Sequence, residues 1–170
     1  TAAYAATSGT VATGLAGAVG LTKSGTGVFV LSGSNMYTGV TTGSATGGIL
    51  QFATKNALYG GGTSSWTKAN IVTNAATTLA VNVGGTGEFQ PTDVTTLLNG
   101  IGGTVASNGL LAGSSIGFDT TNSGTAYTVG DVIANTAGTG GGAVGLVKLG
   151  SGTLILSASN TFTGTTAVGY

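Results

Sequence analysis

Few side chains in this sequence can act as an acid, a base or a nucleophile. Histidine, cysteine and arginine are absent, and four lysines and four carboxylates remain among 170 residues. A Ser-Lys dyad would use Lys23 or Lys148 as its base, since serines are abundant. Each of these two lysines follows a Gly-Leu-x step beside a turn, a position more typical of a solubilising charge at a sheet edge.

The carboxylates are the remaining candidates for general acid–base work, such as glycoside cleavage by a pair of acids. None stands at a motif spacing from another, so solvated loop positions are the preferred interpretation. We therefore predict no catalytic residue, no metal, no cofactor and no enzymatic activity. The four acids are Glu88, Asp93, Asp119 and Asp131.

Glycine-rich runs and one tryptophan are candidates for ligand binding. Residues 84–87 and 138–142 lack the Lys-Ser/Thr ending of a phosphate loop, and no Gly-Gly-x-Gly-x-Asp calcium repeat occurs. Trp66 and the tyrosines can stack on sugars, but a lone tryptophan among serines and threonines more often caps a small core. Both glycine runs are interpreted as turns.

The composition predicts a neutral surface that carries few charges. Only 5% of the residues are charged and the net charge is zero, against roughly a quarter charged in ordinary soluble domains. Such a surface favours self-association, and without a basic run nucleic-acid binding is not expected. No apolar run is long enough for a membrane helix. The start at Thr1 rather than Met predicts signal-peptide removal.

An internal duplication organises the elements that would position these side chains. Residues 17–41 return at 142–166 without a gap and are identical at 15 of 25 positions. Apolar or aromatic residues replace one another at the remaining core positions. A duplication of this kind predicts a repeating β unit.

Alternation inside the two copies predicts strands with one buried face. In the first copy Phe29 and Leu31 share the core face, and in the second copy Leu154 and Leu156 take their places. Short apolar runs between turn residues predict further strands. These strands span residues 48–53, 70–73, 77–83, 115–119 and 126–134.

A single helical pattern follows Pro91. Thr92 is the predicted cap and Gly100 the predicted C-terminal stop, giving a helix of about two turns in a connection. The apolar residues at helical spacing are Val94, Leu97, Leu98 and Ile101.

The pattern of short strands and frequent turns predicts an all-β fold. A β-solenoid with one short helix explains the stacked repeat best, and a β-sandwich is the alternative. We assign residues 1–170 to one domain, with repeat copies at 17–41 and 142–166 and an inter-repeat segment at 42–141.

Specific strings inside the two copies resemble a known family, the autotransporter-associated β-strand repeat, also called the passenger-associated transport repeat. The resemblance implies a right-handed parallel β-helix that is exported across a bacterial envelope and displayed or released outside. It implies no shared catalytic residues. The strings are GLTKSGTG at 20–27, LSGSN at 31–35 and YTG at 37–39, then GLVKLGSG at 145–152, LSASN at 156–160 and FTG at 162–164.

The predicted function is that of an extracellular structural subunit that assembles head-to-tail into a filament or surface layer. The second copy lacks the strand that residues 48–52 supply after the first, so the N-terminal segment of another molecule is predicted to fill that place. The predicted assembly residues are Ala2, Ala3, Tyr4 and Ala5 at one end and Thr165, Thr166, Ala167 and Val168 at the other.

A passenger fragment of an autotransporter-like adhesin is the alternative function. The predicted partners are copies of the chain itself and, for the adhesin, cell-surface or matrix glycans. The predicted location is extracellular or on the bacterial surface.

Overall fold

A computed structural model describes residues 2–102 and 109–169. Apart from one helix, α1 (Pro91–Ile101), and three 3-10 turns at Lys55–Ala57, Tyr59–Gly61 and Thr63–Ser65, the regular elements of this part of the chain are short strands. The strands are β1 (Tyr4–Ala6), β2 (Gly9–Val11), β3 (Ala16–Gly17), β4 (Leu21–Lys23), β5 (Val28–Leu31), β6 (Met36–Tyr37), β7 (Thr41–Gly43), β8 (Ile49–Phe52), β9 (Ile71–Thr73), β10 (Thr78–Asn82), β11 (Gly109–Leu110), β12 (Ser115–Asp119), β13 (Ala126–Val129), β14 (Gly145–Leu149), β15 (Thr153–Leu156) and β16 (Thr166–Val168).

The strands stack as the sides of a coil, because each pairs in parallel with a strand one turn away along the chain. The five-strand sheet runs β1-β4-β7-β9-β11, and the seven-strand sheet runs β2-β5-β8-β10-β12-β14-β16. The third side of the coil holds the pairs β3-β6 and β13-β15. This topology is that of a parallel β-helix, which confirms the predicted solenoid over the sandwich.

The core consists of columns of inward side chains that stack from coil to coil. Phe29 lies in register with Leu50, which in turn opposes Leu79 in the next coil. All three are buried, whereas the outward Val28 is 43% exposed. In β5 the residues alternate between the interior and the outside, whereas in β8 and β10 the outward Gln51 and Ala80 are buried as well.

The predicted core residues differ between the two copies. Phe29 and Leu31 are buried in the middle of the stack. Leu154 and Leu156 are half-buried and pack against the core cluster, because β15 pairs only with β13 and lies in the last coil. A position inside a repeat thus fixes the direction of a side chain, while the number of neighbouring coils fixes its burial.

The coils differ in length, and the longest lie in the middle. In the seven-strand sheet the register joins Val28 to Ile49, Ile49 to Thr78 and Thr78 to Ser115. The first of these coils therefore needs far fewer residues than the next two. Two successive long coils, those that begin at Ile49 and at Thr78, carry additional residues that leave the stack after β8 and after β10, both on the third side.

The two repeat copies occupy different sides of the coil. In the first copy β4 belongs to the five-strand sheet and β5 to the seven-strand sheet. In the second copy the equivalent β14 belongs to the seven-strand sheet and β15 to the third side. The interval between the copies is not a whole number of coils, so the second copy is displaced by one side.

The helix is longer than predicted and is capped differently. It begins at Pro91 with Gln90 as N-cap, where the backbone N–H of Gln90 donates to Oδ2 of Asp93 at 3.0 Å. Gly100 lies inside the helix rather than at its stop, so Thr92 as cap and Gly100 as terminator are both wrong. A Cβ at residue 100 would overlap the carbonyl oxygen of Trp66. Close packing, not chain termination, therefore requires this glycine.

Candidate functional site

The repeat lysines close corners of the coil instead of standing at a solvated edge. Lys23 is fully buried, and its Nζ donates to the carbonyl oxygens of Ser24 at 2.9 Å and Gly25 at 2.7 Å. Lys148 donates in the same way to the carbonyl of Gly150. Burial lowers the pKa of Lys23. The prediction of a solubilising edge charge is wrong for Lys23, because the side chain lies on the buried face beside Leu21 and its ammonium donates to two backbone carbonyls.

The asparagine of each copy joins its coil to the coil before it. Oδ1 of Asn35 accepts from the backbone N–H of Leu15 at 2.8 Å, and its Nδ2 donates to the carbonyl of Ala57 at 2.7 Å in the following coil. Oδ1 of Asn160 accepts from the N–H of Ile133 at 2.7 Å. The sequence pattern gave this residue no predicted role. The signal that could have identified it is that both copies carry asparagine at this position.

Two of the four carboxylates are held inside local hydrogen-bond networks. Glu88 is buried, and it accepts from the N–H of Gly85 at 2.9 Å and from Nδ2 of Asn122 at 2.6 Å. Asp119 accepts from Nε2 of Gln51 at 2.8 Å and from the N–H of Thr121 at 2.9 Å. Both acids therefore stabilise neighbouring strands and turns.

The additional residues of the two long coils form one packed unit on the third side, residues 53–70 and 83–102, which we call the lateral insert. Nζ of Lys55 lies 2.6 Å from Oδ1 of Asp93, and the N–H of Lys55 donates to the carbonyl of Gly87 at 2.9 Å. The rings of Trp66 and Phe89 lie 5.2 Å apart. Trp66 is 1% exposed, so its indole is a core group of the insert and is not free to stack on a sugar.

A buried tyrosine pair fastens the lateral insert to the five-strand sheet. The hydroxyl of Tyr59 receives a hydrogen bond from Oγ1 of Thr41 at 2.9 Å and donates to the carbonyl of Asn70 at 2.7 Å. Tyr37 also bonds to Thr41, at 2.7 Å, and its ring lies 5.0 Å from that of Tyr59. Burial is the main cause that raises the pKa of both phenols.

The two segments that carry the buried lysine and the bridging asparagine match one family model, that of the passenger-associated-transport repeat, at residues 21–42 and 146–169. The chain carries two passenger-associated-transport repeats. The resemblance to the autotransporter-associated repeat family is thereby confirmed. In this chain the transport repeat is one coil whose lysine closes a corner and whose asparagine binds the preceding coil.

The chain is also similar to a curated protein, the Adhesin BmaC autotransporter of Brucella suis biovar 1 (strain 1330). It is 30% identical over an alignment of 236 residues, which covers 89% of this chain and 7% of the relative. The chain therefore spans a small fraction of the length of that adhesin. No solved structure gives a significant match.

The predicted assembly residues lie at opposite ends of the stack. Tyr4–Ala6 pairs with Leu21–Lys23 of the first transport repeat and is the first strand of the five-strand sheet. Thr166–Val168 closes the second transport repeat and is the last strand of the seven-strand sheet. The two segments thus belong to different sheets, and the strand of a second molecule that would extend β16 in its own sheet is β2. Thr1 lies outside the described residues.

Residues 2–102 and 109–169 contain no helix that is long and apolar enough to cross a membrane.

Proposed function

We propose that this chain is a stretch of an extracellular adhesin passenger, in which the β-helix is the scaffold and the lateral insert is presented to a partner. The observation that carries the proposal is that two successive coils place their additional residues on the same side, where these residues pack into one unit. Insertions into stacked repeats commonly form the binding face of such proteins. The similarity to an adhesin autotransporter supports the same assignment.

The scaffold part of the proposal follows from how the coils are held together. Backbone ladders and the bridges made by Asn35 join each coil to its neighbours. Such stability is a sum of local and nearest-neighbour terms, so a stack of this kind needs no disulfide and no metal to extend. A rigid rod with a lateral binding unit is a suitable architecture for holding a partner away from a cell surface.

Self-assembly into a filament stays a prediction. Within the described residues β1 and β16 are the outermost strands of their sheets, and the net charge is zero. The edge of an outermost strand can pair with another chain. The sequence similarity favours the adhesin passenger over this role, and the absence of enzymatic activity likewise stays a prediction.

The experiment measures attachment by the purified chain. The chain is coated on beads, and bead binding is counted on epithelial monolayers and on surfaces coated with matrix proteins or with matrix glycans. We expect saturable binding that an excess of soluble chain abolishes. An absence of binding on all of these surfaces, together with fibres in negative-stain images of the same preparation, would replace the adhesin proposal with the filament.

A further inference from the structure

A groove runs along α1 where the helix faces the chain after β13. It contains two adjoining cavities of about 240 and about 270 Å³. Asp131 lines both of them, and the hydrogen bond from Thr95 to its carboxylate places that group beside the second cavity. Apolar side chains supply most of the walls. These apolar residues are Pro91, Val94, Leu98, Leu110, Val129, Val132 and Ile133.

Asp131 differs from the other three acids because fewer hydrogen-bond donors and cations contact its carboxylate. Its Oδ2 accepts one hydrogen bond, from Oγ1 of Thr95 at 2.7 Å. Asp93 has the ammonium of Lys55, and Glu88 and Asp119 have two or more donors each. Within the described part of the chain, no lysine lies within ion-pair distance of Asp131.

The surroundings of the groove add further negative potential. The last turn of α1 contributes Leu98 and Asn99 to the lining of the cavity that Asp131 also lines. The C-terminal end of a helix carries a partial negative charge and favours cations. The buried hydroxyl of Tyr127 has no hydrogen-bond partner among the described residues. Burial raises its pKa first, and the carboxylates of Asp93 and Asp131 raise it further.

We propose that this groove binds a lysine or arginine side chain of a protein partner, with the cationic head on Asp131 and the aliphatic stem on the apolar walls. Long basic side chains combine such a stem with such a head. A charge-assisted hydrogen bond to a carboxylate is among the strong polar contacts available to a protein. The proposal rests on the proposed adhesin function and names the chemistry of its partner.

The test follows backbone amide shifts of the full ¹⁵N-labelled chain during titration with four probes. These are N-acetyl-arginine amide, N-acetyl-lysine amide, the neutral isostere N-acetyl-citrulline amide, and maltose. We expect saturable shifts at residues 94–99 and 128–134 with the two cationic probes only. The shifts should weaken as salt is added, because a partly exposed ion pair is screened.

Two variants decide whether Asp131 carries the binding. Asp131→Asn keeps the shape of the side chain and an acceptor for Thr95, and should weaken both cationic probes about tenfold or more. Asp119→Asn makes the same change of net charge away from the groove and should bind like the parent chain. Unfolding curves for both variants establish that each is folded.

Several outcomes would overturn the inference. Equal shifts with citrulline, shifts with maltose alone, no shift with either cation, or unchanged affinity in Asp131→Asn would each do so. Bead attachment separates this failure from that of the proposed function. A chain that attaches to cells but ignores the cations loses only the groove, whereas a chain that binds the cations but does not attach loses only the adhesin role.

Discussion

The side-chain oxygen of Asn35 and the backbone N–H of Leu15 join two successive coils through a hydrogen bond of 2.8 Å. The amide of the same side chain reaches the carbonyl of Ala57 in the coil beyond. One buried residue therefore holds three coils in register. Because each of its partners is a backbone group, the role depends on the amide rather than on any particular neighbouring side chain.

Replacing Asn35 by Ala should destabilise the fold. The change leaves a part-buried N–H and a buried carbonyl without partners, and the buried carbonyl alone should cost about 1–3 kcal/mol in the free energy of unfolding. Urea denaturation measures the effect. Asn56→Ala, at an exposed position, is the matched control and should change stability by less than about 0.5 kcal/mol. Similar midpoints for the two variants would contradict the bridging role.

The stability lost on truncating a core leucine should depend on where its coil lies in the stack. Leu31→Ala removes a fully buried side chain and should cost about 2–5 kcal/mol. Leu156→Ala, in the half-buried second copy, should cost clearly less, since the last coil packs on one side only. Equal losses for the two variants in chemical denaturation would show that the second copy is as enclosed as the first.

Lys55 and Asp93 form an ion pair, and removing one or the other should lower the free energy of unfolding by different amounts. Lys55 is 37% exposed and Asp93 is 9% exposed, so Lys55→Met should cost no more than about 1 kcal/mol. Asp93→Ala also removes the acceptor for the N-cap N–H and should cost about 1–2 kcal/mol more. Hydrogen exchange of the first turn of α1 distinguishes them, because protection should fall in Asp93→Ala and persist in Lys55→Met.

Alkaline pH should weaken the attachment of the lateral insert. Burial raises the pKa of Tyr37 and Tyr59, while in the unfolded chain a tyrosine ionises near pH ~10. Below that pH both states are neutral and stability is complete. Above it the unfolded state loses protons that the folded state keeps, so the free energy of unfolding falls as pH rises. Phenolate absorbance and urea titrations measured together over this range should show ionisation coincident with unfolding. Free ionisation of these phenols in the folded state would contradict their burial.

The alternation of residue types predicts several of the strands and the inward face of β5, but the strand predicted at 126–134 ends at Val129. Ser115–Asp119 is a strand with the predicted bounds, and Phe29 with Leu31 points into the core. The same alternation places Lys23 on the face of Leu21, which was a signal that the lysine is buried. The turn beside Lys23 favours an exposed edge charge instead, and a lysine is rarely buried without a carboxylate, so residue type and strand pattern disagree at this position.

Other features depend on contacts between coils of unequal length, and no local pattern contains them. The partners of Asn35 lie in the preceding and the following coil. The requirement for Gly100 inside α1 arises from the approach of Trp66. The displacement of the second transport repeat to the next side depends on the lengths of all the coils between the copies. The groove at Asp131 forms only because α1 lies over the chain that follows β13.

Site-specific masking measures whether the lateral insert contacts the partner. Because the chain contains no cysteine, a single introduced cysteine can be labelled selectively. Thr96→Cys, on the exposed face of α1, and Thr26→Cys, at an exposed corner outside the lateral insert, are each labelled with a maleimide-linked polyethylene glycol. Attachment of beads that carry each labelled chain is then counted on the surface that binds the parent. Masking residue 96 should abolish attachment, whereas masking residue 26 should leave it unchanged. Equal attachment by both labelled chains would contradict a binding role for the lateral insert.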